Sequence, residues 1–188
     1  TLSFEDFIKI KNYCLEKKIE FLTTSFGPIS TDFISNLELE RFKIPSGEIT
    51  NYPYLKRFGS YQKPIILSTG MSDMQEINDA LSVLLSSGMS LEKITLLHCI
   101  SEYPTPLHHA NLLAIQTIKQ QFNTKVGFSD HTLGCEASAM AIALGATVIE
   151  KHITLDKSLE GPDHLASMDA AEFESFVKVL RRAEEALG

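Results

Sequence analysis

The sequence predicts an α/β fold, an incomplete (β/α)8 barrel, from three observations. Short apolar strand-like runs recur with starts roughly 20–30 residues apart, the length of a strand-plus-helix unit. Amphipathic helical patterns fill the gaps between them. Polar, reactive residues collect at the C-terminal ends of several of those runs, which is where a barrel keeps its chemistry. A doubly wound sheet shares the β/α alternation; the G-x-G-x-x-G nucleotide fingerprint is absent, and the polar residues at several strand ends decide for the barrel.

Taken in chain order, Ser3 caps a first helix with Phe4, Phe7, Ile8, Ile10 and Leu15 on its apolar face. Six strands are then expected at Glu20–Thr24, Phe42–Pro45, Pro64–Ser68, Ile94–His98, Lys125–Ser129 and Thr147–Glu150, each a short run ending in polar residues or glycine. Ser72 or Asp73 opens a helix, with Gln75 or Glu76 completing a capping box and Met74, Ile77, Leu81, Leu84 and Leu85 in phase. A further helix spans about Asn111 to Phe122, and an Ala-rich one runs from Glu136 to Leu144 and stops at Gly145. Asp169 and Glu172 frame the last helix, whose stripe is Phe173, Phe176, Val177 and Leu180. All 188 residues read as a single domain without linker or low-complexity tract.

Composition narrows the function classes. Hydrophobic residues make up 44% and charged residues 22%, ordinary for a globular chain. The net charge of −7 argues against nucleic acid as a partner but leaves room for a local anion site. No apolar run is long enough for a membrane span. The polar, acidic opening Thr1–Asp6 carries no secretory pattern. Three cysteines, Cys14, Cys99 and Cys135, have neither CxxC spacing nor a histidine spaced to activate them, so a reducing cytoplasm is the expected setting.

Strand alternation selects the candidate site. Ser129 and His131 share one face of their strand, and Glu150 and His152 share one face of the next. Neighbouring strands then bring two imidazoles to one rim, within reach of a single divalent ion, with Glu150 beside it as a base or water-orienting group. Lys43 stands inside the apolar run Phe42–Ile44, where a buried ammonium needs an anion; a phosphate and Glu48 are both open as partners. Ser68, Thr69 and Gly70 form either a phosphate-holding turn or an ordinary βα connection, and Ser129 offers another hydroxyl. Ser101 and Tyr103 lie in a stiff loop with Pro104 and Pro106, facing either a polyhydroxy ligand or the rim itself. Asp163 takes ligand hydroxyls or stabilises its own turn. His98 reads as a core histidine, and His108 and His109 as solvated loop residues.

Six strings occur in register: Phe42–Asn51, Pro64–Met71, Leu97–Pro106, Phe128–Thr132, Glu150–His152 and Gly161–His164. Together they resemble the N-acylneuraminate (sialic acid) synthase family, the phosphoenolpyruvate-dependent nonulosonic acid synthases, over essentially the whole chain. The resemblance implies a transferase of sialic acid biosynthesis, serving lipopolysaccharide or capsule. It condenses phosphoenolpyruvate with N-acetylmannosamine or a related 2-acetamido aldose to give a nonulosonic acid and phosphate. It implies manganese or magnesium on His131 and His152, phosphoenolpyruvate on Lys43, Ser68 and Ser129, and the sugar near Glu48, Tyr103 and Asp163. Lys43 and Glu150 would be the catalytic pair. Ser101, with Glu102 following, departs from an Asn found in some members, which opens the identity of the sugar; legionaminic and pseudaminic acid synthases share the scaffold. The family pattern also implies two further βα units ahead of these six strands, a C-terminal antifreeze-like domain, neither of them in this sequence, and a homodimer for the full-length protein. Another phosphoenolpyruvate–aldose condensing enzyme, and a barrel fragment that binds without catalysing, stay open as alternatives.

Overall fold

A computed structural model describes residues 2–188. Its centre is one parallel sheet of five strands in the order β1 (Phe42–Ile44), β2 (Ile65–Ser68), β3 (Ile94–Cys99), β4 (Lys125–Asp130) and β5 (Ile149–Lys151). Each strand pairs with the next in sequence, as successive βα units demand. The covering helices are α1 (Phe4–Glu16), α2 (Pro28–Ser35), α3 (Tyr52–Ser60), α4 (Met74–Ser86), α5 (Ala114–Phe122), α6 (Glu136–Ala143) and α7 (Ala170–Leu187).

The helix boundaries follow local chemistry. Ser3 and Asp6 form the capping box of α1, Asp73 and Glu76 that of α4, and Asp169 and Glu172 that of α7. Two helices, α2 and α3, have no counterpart among the predicted elements. Each begins with a proline at its first or second position, where the missing N–H costs nothing, so a residue that reads as a breaker is here a starter.

One predicted strand does not form. Glu20–Thr24 lies beside β1, with Arg41 Nε 2.7 Å from Glu20 and Phe21 packed on the core. Among the described residues it makes no ladder hydrogen bonds with Phe42–Ile44, so the sheet has five strands where the sequence suggests six. Its pattern suits a strand, but strand structure requires a paired neighbour, which no local pattern supplies.

The sheet is curled. Alternate residues Phe42, Ile44, Ile65, Leu67, Ile94, Leu96, Val126 and Phe128 face the helices and form the buried core. The intervening residues, including Lys43, Ser68, Ser129 and Glu150, face the opposite, concave side. Lys43 on the first strand lies 3.0 Å from Glu150 on the last. Four strand spacings of a flat sheet would separate those backbones by about 19 Å, beyond the combined reach of the two side chains. The five strands therefore form a trough, part of a barrel wall, with its C-terminal rim at Ser68, Cys99, His131 and His152.

Candidate active site

The trough floor carries a connected chain of polar groups. Lys43 Nζ donates to Glu150 Oε1 at 3.2 Å and lies 3.0 Å from Oε2. Ser129 Oγ donates to Glu150 Oε1 at 2.6 Å, its strand register placing it directly beside Glu150. The same hydroxyl lies 3.3 Å from His131 Nε2. The His131 and His152 rings meet edge to face with centroids 5.2 Å apart. The Tyr103 ring lies against His131, tilted by 36° with centroids 4.1 Å apart, and stands 5.6 Å from His152, whose Nδ1 is 3.8 Å from Asp163 Oδ2.

The electrostatics follow from this packing. Burial acts to raise the pKa of Glu150, but Lys43, the Ser129 hydrogen bond and His131 outweigh it, and the carboxyl stays below the ordinary range. Glu150 is thus an ionised acceptor at neutral pH. Burial lowers the His131 pKa, against the opposing effect of the Ile100 carbonyl, so the ring is neutral. His131 Nδ1 lies 2.7 Å from that carbonyl, which assigns the proton to Nδ1. The Ser129 proton goes to Glu150, which leaves the Nε2 lone pair on the concave side without a donor. Burial also raises Tyr103, aided by nearby Cys99, Asp163 and Glu150.

Two predicted members stand apart from this chain. Glu48 receives Asn51 Nδ2 at 2.6 Å and does not pair with Lys43; the curl of the sheet, not nearness in sequence, gives Lys43 its partner. Ser101 is exposed and lies near Gly70 and Ser46. Ser68 is buried on the concave face of β2 beside Cys99, whose thiol burial pushes up. His98 is a core histidine as expected, its Nε2 2.8 Å from the Ala110 carbonyl. His109 is exposed as expected but pairs with Glu102 at 3.0 Å.

The sequence reading missed the Asp130–Lys151 pair directly behind the histidines, at 3.2 Å with side chains 0% and 1% exposed. The signal was present: alternation puts both residues on the helix-covered face, where a charge requires a partner.

The donor set bears on a metal. Two imidazoles converge, and one presents an unsatisfied nitrogen lone pair to the trough. Among the described residues no group of three or more His, Cys, Asp and Glu side chains is arranged as a metal cluster. His131 and His152 would supply two nitrogen donors to a divalent ion, and the site would stay open to water or substrate.

A parallel barrel wall with a lysine–carboxylate pair and two histidines at its C-terminal rim defines a barrel-type enzyme site. The chain belongs to the NeuB family, whose sequence model matches residues 1–188. It is 51% identical over 170 residues to an N,N'-diacetyllegionaminic acid synthase of Campylobacter jejuni, covering 90% of this chain and 51% of that protein. A protein of the same description from Legionella pneumophila is 48% identical over 189 residues, covering 100% of this chain and 53% of the relative. The crystal structure of an N-acetylneuraminic acid (sialic acid) synthetase from Leptospira borgpetersenii superposes with a TM-score of 0.93 at 33% identity, covering 100% of this chain and 65% of that one. The chain spans about half the length of the curated relatives it matches.

Proposed function

We propose that residues 1–188 are one partial barrel unit of a nonulosonic acid synthase, carrying its phosphoenolpyruvate- and metal-binding groups. The observation that carries this is the Lys43–Glu150–Ser129–His131 chain across the trough, in a chain of the NeuB family. The acceptor is a 2-acetamido aldose. The identity to two proteins named for diacetyllegionaminic acid supports a diacetamido hexose over N-acetylmannosamine.

Lys43, Ser68 and Ser129 hold the phosphate and carboxylate of phosphoenolpyruvate, the ammonium stabilising negative charge as phosphate leaves. Carbon 3 of the enol attacks the acceptor aldehyde, forming the new C–C bond. Water adds at carbon 2, and phosphate departs by C–O cleavage. Glu150, ionised and held by Lys43 and Ser129, accepts the proton of that water. Tyr103 and Asp163 position the sugar, and Glu48 and Ser101 border it. His131 and His152 would hold manganese or magnesium, which when bound polarises the aldehyde as a Lewis acid. The full-length protein acts as a homodimer on small-molecule substrates in the cytoplasm. Among the described residues no helix is long and apolar enough to cross a membrane.

The test uses the full-length protein with phosphoenolpyruvate, Mn²⁺ and a panel of aldoses. Phosphate release with a nine-carbon product by mass is expected, and His131→Ala should abolish it. Undiminished turnover in that variant, or a seven- or eight-carbon product, overturns the reading.

A further inference from the structure

We propose that the buried Asp130–Lys151 pair is a positioning device that sets the relation of His131 to His152. The proposal rests on the reading of those histidines as the metal-holding pair. Each charged residue immediately precedes one histidine, on the opposite face of its strand. The pair thus ties the end of β4 to the end of β5 directly behind the rim, with 3.2 Å between Lys151 Nζ and Asp130 Oδ2.

Its hydrogen bonds converge on the residue after His131. Asp130 Oδ1 accepts from the Thr132 backbone N–H at 2.8 Å and from its hydroxyl at 2.7 Å. Lys151 Nζ donates to the Thr132 carbonyl. Both backbone groups of Thr132 are therefore fixed by the pair, one from its own strand and one from the neighbouring strand. Asp130 Oδ2 also accepts from Ser138 Oγ on α6 at 2.6 Å, and Lys151 lies 5.8 Å from the Phe176 ring of α7. The helices behind the sheet thereby reach the rim through one ion pair.

This arrangement exceeds what register alone needs. The β4–β5 ladder already aligns Ser129 with Glu150 and Asp130 with Lys151. Beyond the ladder the two rings meet edge to face, and the Tyr103 ring lies against both. The Ile100 carbonyl fixes the His131 ring and Thr105 N–H binds its carbonyl at 2.8 Å, while Met168 N–H binds the His152 carbonyl at 3.0 Å. The Asp130–Lys151 pair joins these two separately held histidines. A buried pair of this kind is poor evidence of added stability, because replacing both charges by apolar groups is often neutral. Its service here is geometric.

The experiment compares the full-length protein with its Lys151→Met, Asp130→Asn, and Lys157→Met variants, the last a control in the exposed Lys157–Glu172 pair. The readouts are imidazole ¹⁵N chemical shifts of His131 and His152 without metal, and Mn²⁺ affinity by calorimetry. Lys151→Met should shift both imidazoles and weaken Mn²⁺ binding about 10- to 100-fold, as loss of an outer-sphere support does. Asp130→Asn should do the same to a lesser degree, and Lys157→Met should change neither. Folded variants with unshifted imidazoles overturn the proposal. If Lys151→Met does not fold, Asp130→Asn, which keeps the side-chain shape and the Oδ1 acceptor for Thr132 but turns the Oδ2 acceptor of Ser138 and Lys151 into a donor, decides by the same criterion. A full-length wild-type protein that binds no Mn²⁺ overturns the metal reading instead, and the imidazole shifts then decide the positioning role separately.

Discussion

At the ends of β4 and β5, Ser129, Asp130, His131, Thr132, Glu150 and Lys151 are each held by another group of the protein. At the ends of β1 and β2 the rim carries small groups, Ser46, Gly47, Thr69 and Gly70, with Ser101 after β3 beside them. A Cβ on Gly70 would come within 2.5 Å of Ser46 Cβ and 3.4 Å of Ser101 Oγ, whereas one on Gly47 would meet nothing within 4 Å. One half of the rim is fixed in charge and orientation before any ligand arrives, as groups that act on developing charge must be. The other half is built of small side chains: Gly47 leaves open space beside it, and the hydroxyls of Ser46 and Ser101 can rotate to suit what enters, while Thr69 is fixed on the Leu97 carbonyl. Lys43 belongs to the second half in sequence and to the first in contacts, so it joins them.

Removing that join should have the largest effect. Lys43→Met in the full-length protein is expected to reduce phosphate release at least about 100-fold, the scale of losing one preorganised charge-stabilising group. It should also raise the Glu150 pKa, read by carboxylate NMR titration. Loss of rate without movement of Glu150 would separate the two roles of the lysine.

Acid should damage the fixed half selectively. His131 titrates below its ordinary 6.5, so its stabilisation is complete above 6.5 and is lost as pH falls through its lower folded value. Glu150 titrates below its ordinary 4.5 and acts with the same sign in a lower window. The urea midpoint should therefore begin to fall below pH 6.5, and fall less in His131→Ala. An equal acid response in that variant would assign the effect to other groups.

A glycine pair tests the open half. Gly70→Ala, with φ +50° and Ser46 in the way, should cost about 1–3 kcal/mol by urea denaturation. Gly47→Ala in the same rim should be neutral or stabilising by about 0.5 kcal/mol. Equal costs would mean that the two glycines do the same work.

The smallest effect is expected at Ser101. Ser101→Asn should leave stability within about 0.5 kcal/mol, as for an exposed site. Any change should be in the ranking of acceptor sugars, measured as relative kcat/KM in the full-length protein.

The legibility of the molecule divides along physical lines. β2, β3 and β4 were readable because a buried parallel strand is a continuous apolar run, and the capping boxes of α1, α4 and α7 because their signals span four residues. The placement of Ser129, His131, Glu150 and His152 on one face followed from alternation alone. The partner of Lys43 did not. Glu48 is five residues away in sequence, while Glu150 is brought in by curvature, a property of the whole sheet. Glu20–Thr24 failed for a related reason, since its state depends on strand neighbours. α2 and α3 failed because Pro28 and Pro53 read as interruptions.

The Lys43–Glu150 contact has a kinetic consequence. Every strand pairing joins neighbours in sequence, so the sheet can grow one βα unit at a time. Lys43 and Glu150 are 107 residues apart, and closing that loop carries a larger entropic cost than any single strand pairing. The contact requires all five strands in place, so it is expected to complete only after the strand pairings. Weakening it should leave the refolding limb of a chevron in place and raise the unfolding limb. The groups assigned to the chemistry would then be the first that the opening barrel wall lets go.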